Sequence, residues 1–301
     1  MLHEYEMTAN AKINLFLKIC GTLPHGYHEL STVMQEIALG DEINVSINDE
    51  ENFKIVLNCS SDIPPYKNLC YKAADLYAKE YAHKTGSPLN FSVSIDLEKK
   101  VPSEAGMGGG SSDAACILLI LNEHCNNFFS ISQLNKLAAR LGADVPFFLY
   151  GKTQYCRGVG EKITPLNSLE GINIVIVKPA EGVPTAECFS RFDSQGSMFV
   201  GDKIDSILAV INSDESAAER LQKTAIYLEN DLQPIAASIV PAINDVLSAI
   251  KDNQAIVTMM CGSGSACYGL FDNKQSAMAA AGKLHNDERT KDCSIFVTEF
   301  I

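Results

Sequence analysis

Pro102-Ser103-Glu104-Ala105-Gly106-Met107-Gly108-Gly109-Gly110-Ser111-Ser112-Asp113-Ala114-Ala115 sets four glycines and two serines directly ahead of an apolar helical run, Cys116-Ile117-Leu118-Leu119-Ile120-Leu121. Backbone without Cβ atoms takes positive φ angles and brings N–H groups close to an anion. The helix expected to start near Ser111 or Ser112 aims its positive dipole end the same way. The segment therefore reads as a phosphate loop, with a nucleotide as its guest. A Walker A loop needs Gly-Lys-Ser/Thr, and Gly110 is followed by two serines with no lysine. A dinucleotide fingerprint needs a third glycine at fixed spacing and a second strand soon after, and the run to Asn122 continues as helix. A loop serving only to cap a helix, with Ser111 or Ser112 as N-cap, needs one or two such residues rather than six.

Outward from the loop, the pattern is β-rich first and mixed later. Strands are expected at Ala11–Ile19, Ser31–Leu39, Glu42–Ile47, Phe53–Leu57 and Phe91–Leu97, with a helix over Asn68–Ala82. A helix from Ser130 to Leu141, capped by Ser130, turns Leu134, Leu137 and Ala138 inward and leaves Asp144 on a turn. Further on come a short strand beyond Gly151, a Gly158-Val159-Gly160 turn and a buried strand at Ile172–Val177. A mostly helical stretch, Thr185–Ile250, then leads to strands at Ile256–Met260, Ala266–Phe271 and Ser294–Thr298 around a helix at Lys274–His285. The class is α+β, divided at residues 1–160 and 161–301.

The chain has 301 residues, 46% of them hydrophobic, and a net charge of −13. That charge argues against nucleic acid as a partner. No run approaches the roughly 18 apolar residues of a membrane span. The first residues lack the basic start and apolar core of a signal peptide, so no membrane is expected and the cytoplasm is the expected location. Ten cysteines without C-x-x-C pairs read as reduced, packed thiols. Positive charge must be concentrated locally if polyphosphate binds, and Lys12, Lys18, Lys99 and Lys100 are the candidates, none selected by spacing alone.

A second glycine cluster, Cys261-Gly262-Ser263-Gly264-Ser265-Ala266-Cys267, turns between two apolar strands, and Ala11-Lys12-Ile13-Asn14-Leu15 lies near the start. A lysine motif, a Pro-x3-Gly-x-Gly-x2-Ser-Ser loop and a late glycine motif, in that order, resemble the GHMP kinase superfamily. His25-Gly26-Tyr27-His28-Glu29-Leu30 and Leu141-Gly142-Ala143-Asp144-Val145-Pro146-Phe147-Phe148 narrow the likeness to members acting on a cytidine diphosphate derivative of methylerythritol. The resemblance spans essentially the whole chain.

It implies a two-lobed GHMP kinase fold, with an N-terminal ribosomal-protein-S5-like lobe and a C-terminal ferredoxin-like α/β lobe. It implies ATP held by Pro102, Ser103, Glu104, Ala105, Gly106, Met107, Gly108, Gly109, Gly110, Ser111 and Ser112, with Asn68 at the adenosine. Asp144 becomes the general base and Lys12 its charged partner. Tyr27 stacks on the cytosine, His28 hydrogen-bonds it, and Phe189 closes the other face, while Asn14 and Thr185 contact the sugar-phosphate portion. Mg2+ is expected with ATP, with Ser112 as a candidate ligand. Glu104 departs from the apolar or Gly-rich stretch usual after the proline and is expected to point into solvent. Mevalonate- or homoserine-type kinases share the loop, a regulator without catalysis needs no base, and a dehydrogenase requires NAD.

Overall fold

The computed structural model describes residues 1–23, 26–61, 63–194 and 203–301. His25 of the narrowing motif lies outside them, as do residues 195–202 of the expected helical stretch. In chain order the strands are β1 (Leu2–Thr22), β2 (His28–Asp49), β3 (Lys54–Cys59), β4 (Phe91–Glu98), β5 (Thr153–Gly158), β6 (Lys162–Pro165), β7 (Asn173–Lys178), β8 (Val257–Met260), β9 (Cys267–Phe271) and β10 (Ser294–Glu299). The helices are α1 (Leu69–Thr85), α2 (Gly109–His124), α3 (Ile131–Leu141), α4 (Val145–Phe148), α5 (Thr185–Ser194), α6 (Ile204–Ile211), α7 (Ala217–Thr224), α8 (Gln233–Ile239), α9 (Ala242–Asp252) and α10 (Lys274–Leu284).

These elements group into two compact units. The first holds Met1–Ala11, Leu39–Val101 and Gly108–Tyr150; the second holds Lys12–Ala38, Pro102–Met107 and Gly151–Ile301. The expected pair of strands at Ser31–Leu39 and Glu42–Ile47 is a single strand, β2. Gly40 is no turn. A methyl group there would meet Thr8 Cγ2 at 2.7 Å and Ala9 O at 2.8 Å, so this glycine admits close approach of β1. β1 likewise runs well beyond the expected Ala11–Ile19.

In the first unit the Glu42–Asp49 half of β2 pairs antiparallel with β4, which pairs in parallel with β3. The centre of this unit is α2, apolar nearly all round, with Ala114, Ala115, Ile117, Leu118, Ile120 and Leu121 buried. Tyr77 of α1 lies edge-on to Phe129 at 5.1 Å and donates to Asn122 Oδ1 at 3.2 Å. Asn122 in turn bonds the backbone N–H and carbonyl of Phe129, so the polar atoms buried here are paired. α3 begins at Ser130 with a capping box to Gln133 and buries Leu134, Leu137 and Ala138, as its pattern predicts.

In the second unit Leu30–Gln35 of β2 pair with β5, which pairs with β6. A separate antiparallel sheet has the order β10-β7-β9-β8. Its central strand β7 buries Ile174 to Val177 on both faces, beneath a core that includes Leu232 and Ala236 of the α8 region, Ile243 and Ile250 of α9, and Ala277 and Leu284 of α10. All ten cysteines are free thiols. Cys20 is exposed, and Cys59, Cys125 and Cys293 are half-buried, so the expectation of packing holds for the other six only.

Candidate active site

Three segments widely separated in the chain meet within the second unit. Lys12 and Asn14 point from β1, Ala105 to Met107 come from the glycine loop, and Gly262 to Ala266 form the turn between β8 and β9. Lys12 Nζ donates to Gly106 O at 2.8 Å and to Asn14 Oδ1 at 2.7 Å, and Lys12 N–H donates to Met107 O at 3.0 Å. Ser265 N–H donates to Glu104 O at 3.1 Å and Ala266 N–H to Ala105 O at 3.3 Å. Four successive carbonyls of the loop, Glu104 to Met107, are thus engaged by protein donors. Carbonyl oxygens repel phosphate, and turning them onto the protein suits the loop to an anion.

The approach of backbone to backbone is close enough to demand glycine. Gly106 has φ +73°, and a Cβ there would collide with the Cys261 carbonyl. Gly262 has φ +50°, with Gly106 O, Asn14 Oδ1 and Lys12 Nζ at 2.8, 3.2 and 3.2 Å from the place a methyl would take. Asn14 is buried and donates to Thr32 Oγ1 at 2.9 Å, while its carbonyl accepts from Tyr268 Oη at 2.9 Å. Asn230 Nδ2 holds Met260 O at 3.0 Å and Gly262 O at 2.8 Å. Neither Tyr268 nor Asn230 was singled out by sequence. Each acts through backbone atoms, and a lone tyrosine in a strand or an asparagine before a helix carries no motif.

The other candidate lysines are accounted for by carboxylates. Lys18 bridges Asp231 at 3.2 Å and Glu229 at 3.5 Å; burial would lower its pKa, and the two acids outweigh that and raise it. Lys100 pairs with Glu42, and Lys99 with Asp41 and Asp113. Glu104 is exposed, as expected, but adopts φ +50°, and its side chain lies over Gly182.

The second half of the loop belongs to the first unit and corrects the sequence reading of the helix start. α2 begins at Gly109, two residues early, with Gly108 as N-cap at φ +72° and no side-chain cap. Gly109 and Gly110 are helical, so of the four loop glycines only Gly106 and Gly108 use positive φ. Ser111 and Ser112 lie inside the first turns, Ser112 buried with its N–H on Gly108 O at 2.9 Å. No side chain caps the backbone N–H donors of this first turn. Gly142, two residues before Asp144, packs beside this turn: a methyl there would lie 3.9 Å from Ser111 Oγ. Asp144 precedes α4 and makes no side-chain cap bond to it. Asn68 is the N-cap of α1, its Oδ1 accepting Cys70 N–H at 2.8 Å, with Nδ2 3.8 Å from Cys59 Sγ.

The cytidine-binding candidates lie in the second unit. His28 stacks on Phe189 with ring centroids 4.7 Å apart and planes 26° apart, and its Nε2 lies 2.7 Å from Asp193 Oδ1. Two of the side chains expected at the cytosine, His28 and Phe189, thus stack on one another, and Tyr27 is 63% exposed. Thr185, at the start of α5, shares a hydrogen bond of 2.8 Å with Ser263 of the late glycine motif. Among the described residues, no group of three or more His, Cys, Asp or Glu side chains could hold a metal ion, and no helix is long and apolar enough to cross a membrane.

Residues 68–152 match the GHMP kinases N terminal domain and residues 206–288 the GHMP kinases C terminal family. The chain is 38% identical over 277 residues to a 4-diphosphocytidyl-2-C-methyl-D-erythritol kinase of Desulfitobacterium hafniense, covering 91% of this chain and 90% of that one. It is 36% identical over 298 residues to the protein of the same name from Clostridium beijerinckii, covering 98% and 100%. A crystal structure of 4-(cytidine 5'-diphospho)-2C-methyl-D-erythritol kinase superposes with a TM-score of 0.75 at 29% identity, covering 98% of this chain and 99% of that one. A homoserine kinase from Cytophaga hutchinsonii superposes at 0.74 over 99% and 94%, but at 16% identity it shares the fold alone. Matching family domains, near full-length relatives and the two-lobed architecture together show that the chain belongs to the GHMP kinases, within the family of 4-diphosphocytidyl-2-C-methyl-D-erythritol kinases.

Proposed function

We infer that this chain transfers the γ-phosphoryl group of ATP to the 2-hydroxyl of 4-diphosphocytidyl-2-C-methyl-D-erythritol, giving the 2-phosphate and ADP in the methylerythritol phosphate route to isoprenoid precursors. The family supports the substrate. The observation that carries the chemistry is the meeting of Lys12, Gly106 and Gly262, with four loop carbonyls turned away from an incoming anion.

A tertiary alcohol is a poor nucleophile, so a carboxylate must take its proton as the phosphoryl group leaves ADP. We assign that role to Asp144. Lys12 is assigned as its charged partner, keeping the carboxylate ionised and steadying charge that develops on the phosphoryl oxygens. Pro102 to Ser112 are assigned the triphosphate, and Asn68 is assigned to the adenosine through its amide Nδ2, since Oδ1 is committed to the α1 cap. Asn14 and Thr185 take the sugar-phosphate portion. Tyr27, His28 and Phe189 take the cytosine, a stack worth about 1–3 kcal/mol per aromatic face. Ser112, buried in the first turn of α2, is the side chain assigned to Mg2+, which when bound with ATP would offset phosphate charge. The functional division is taken at residues 1–160 and 161–301, the place of work as the cytoplasm, and nucleic acid is not a partner.

The test is ADP release with 4-diphosphocytidyl-2-C-methyl-D-erythritol beside mevalonate and homoserine. Turnover with the cytidine substrate alone is expected, and activity confined to the other two rejects the assignment. Asp144→Asn should lower turnover by roughly three or more orders of magnitude while ATP binding persists; equal turnover removes Asp144 from the mechanism.

A further inference from the structure

We propose that Asp41, Lys99 and Asp113 are positioning residues for ATP, a buried charge brace that ties together the two ends of the glycine loop and offsets the acidic charge lying beside the start of α2. The proposal rests on the kinase reading above, which assigns the loop to the triphosphate.

All three side chains lie in the first unit. Asp41, on β2, is wholly buried, and its Oδ1 accepts the N–H groups of Lys100 at 2.5 Å and Val101 at 2.8 Å, the two residues immediately before Pro102. Lys99 Nζ contacts Asp41 Oδ2 and lies 2.6 Å from Asp113 Oδ2. Asp113 is on α2, just past the loop. Chain entering the loop and helix leaving it are thus fastened to one another and to a paired strand. A loop whose ends are fixed beforehand gives up less freedom when it closes on a ligand.

Charge is the second strand of the argument. Asp41 Oδ2 lies 3.3 Å from the place a methyl at Gly109 would take, so a carboxylate rests against the first residue of α2. Burial pushes the Asp113 carboxyl up to about 7 against the opposing pull of Lys99, so the ammonium is what keeps the pair ionised, and its removal leaves the two acids to share a proton next to the helix end assigned to a polyanion. Asp113 Oδ1 is buried with no hydrogen-bond partner among the described residues. An oxygen left in that condition does nothing for the fold, and an acidic pair bridged by one lysine is no more stable than apolar packing of the same size. The arrangement makes sense as a means of setting geometry and potential at the loop.

The experiment uses the full chain and a non-hydrolysable ATP analogue, with dissociation constants from calorimetry and KM for both substrates. Lys99→Met is expected to weaken the analogue about tenfold or more, with KM for the cytidine substrate changed by less than about twofold. Combining it with Asp113→Asn is expected to add little further loss, since the tie between Lys99 and Asp113 is already broken. Asp113→Asn alone is expected to bind the analogue more weakly than the parent but less weakly than Lys99→Met does, a reading that stands even where Lys99→Met does not fold. Unchanged analogue binding in Lys99→Met, parallel losses for both substrates, additive losses in the double variant, or unchanged binding in Asp113→Asn each overturns the brace. A parent chain that binds no analogue overturns the kinase reading along with it, whereas normal parental binding with an indifferent Lys99→Met overturns the brace alone.

Discussion

Gly106→Ala isolates the close approach on which the lysine, the loop and the late glycine motif depend. Two costs add. The residue sits at φ +73°, where an L side chain costs roughly 1–2 kcal/mol. The new methyl would also lie 2.8 Å from the Cys261 carbonyl carbon and 3.0 Å from Gly264 N, all backbone, so something must shift. Forcing extra volume into packed structure costs about 1–3 kcal/mol. Gly171 provides the control within the same unit, because it has φ +88° with nothing within 4 Å of the added carbon. Gly171→Ala should therefore cost about 1 kcal/mol, from conformation alone, after some compensation by the stiffer unfolded chain. Gly106→Ala should cost about 2–4 kcal/mol, a melting temperature lower by roughly 5–15 °C. Its activity should fall as well, since Gly106 O is the acceptor for Lys12 Nζ and moves with the loop. Scanning calorimetry of both variants, followed by ADP release below the transition, checks each part. Losses in the two variants that agree within about 0.5 kcal/mol would refute the claim that backbone crowding at Cys261 is what requires glycine.

Tyr268→Phe leaves the Asn14 carbonyl without its buried donor and should cost about 1–2 kcal/mol in denaturant unfolding, with a drop in kcat larger than any change in KM. His124 is held below its ordinary pKa by burial and then by neighbouring His3. The unfolded chain takes up that proton first as pH falls through about 6.5, so the contribution of His124 to stability is present above that pH and lost below it. His124→Gln should flatten the fall of melting temperature on the acid side of pH 6.5, and an unaltered slope would count against the assignment.

What the sequence reveals and what it hides divide along physical lines. The Ser130 cap and the inward face of α3 are legible because both are local: a capping box spans four residues and an apolar stripe repeats every turn. Gly40-Asp41 reads as a break between the strands expected at Ser31–Leu39 and Glu42–Ile47, yet Gly40 makes room for β1 and Asp41 anchors the residues before the loop. Neither fact has a sequence signature, because the partner lies dozens of residues away. The glycine loop is legible as a helix entrance, but its start is misplaced by two residues because Gly108 ends the loop in a left-handed conformation that needs no serine cap. Spacing cannot choose among Lys12, Lys18, Lys99 and Lys100. The structure separates them by their neighbours, placing Lys12 on Gly106 and Asn14 while Lys18, Lys99 and Lys100 face acids.

Lys12 is made early in synthesis, whereas the turn that packs against it and the tyrosine that steadies Asn14 are made some 250 residues later. A nascent chain halted before that turn carries Lys12 without the backbone that packs against it. Such separation slows assembly, since distant pairings must wait for intervening polypeptide to fold back. It also means that a product ended before the turn would lack the wall against which Lys12, Asn14 and Gly106 pack.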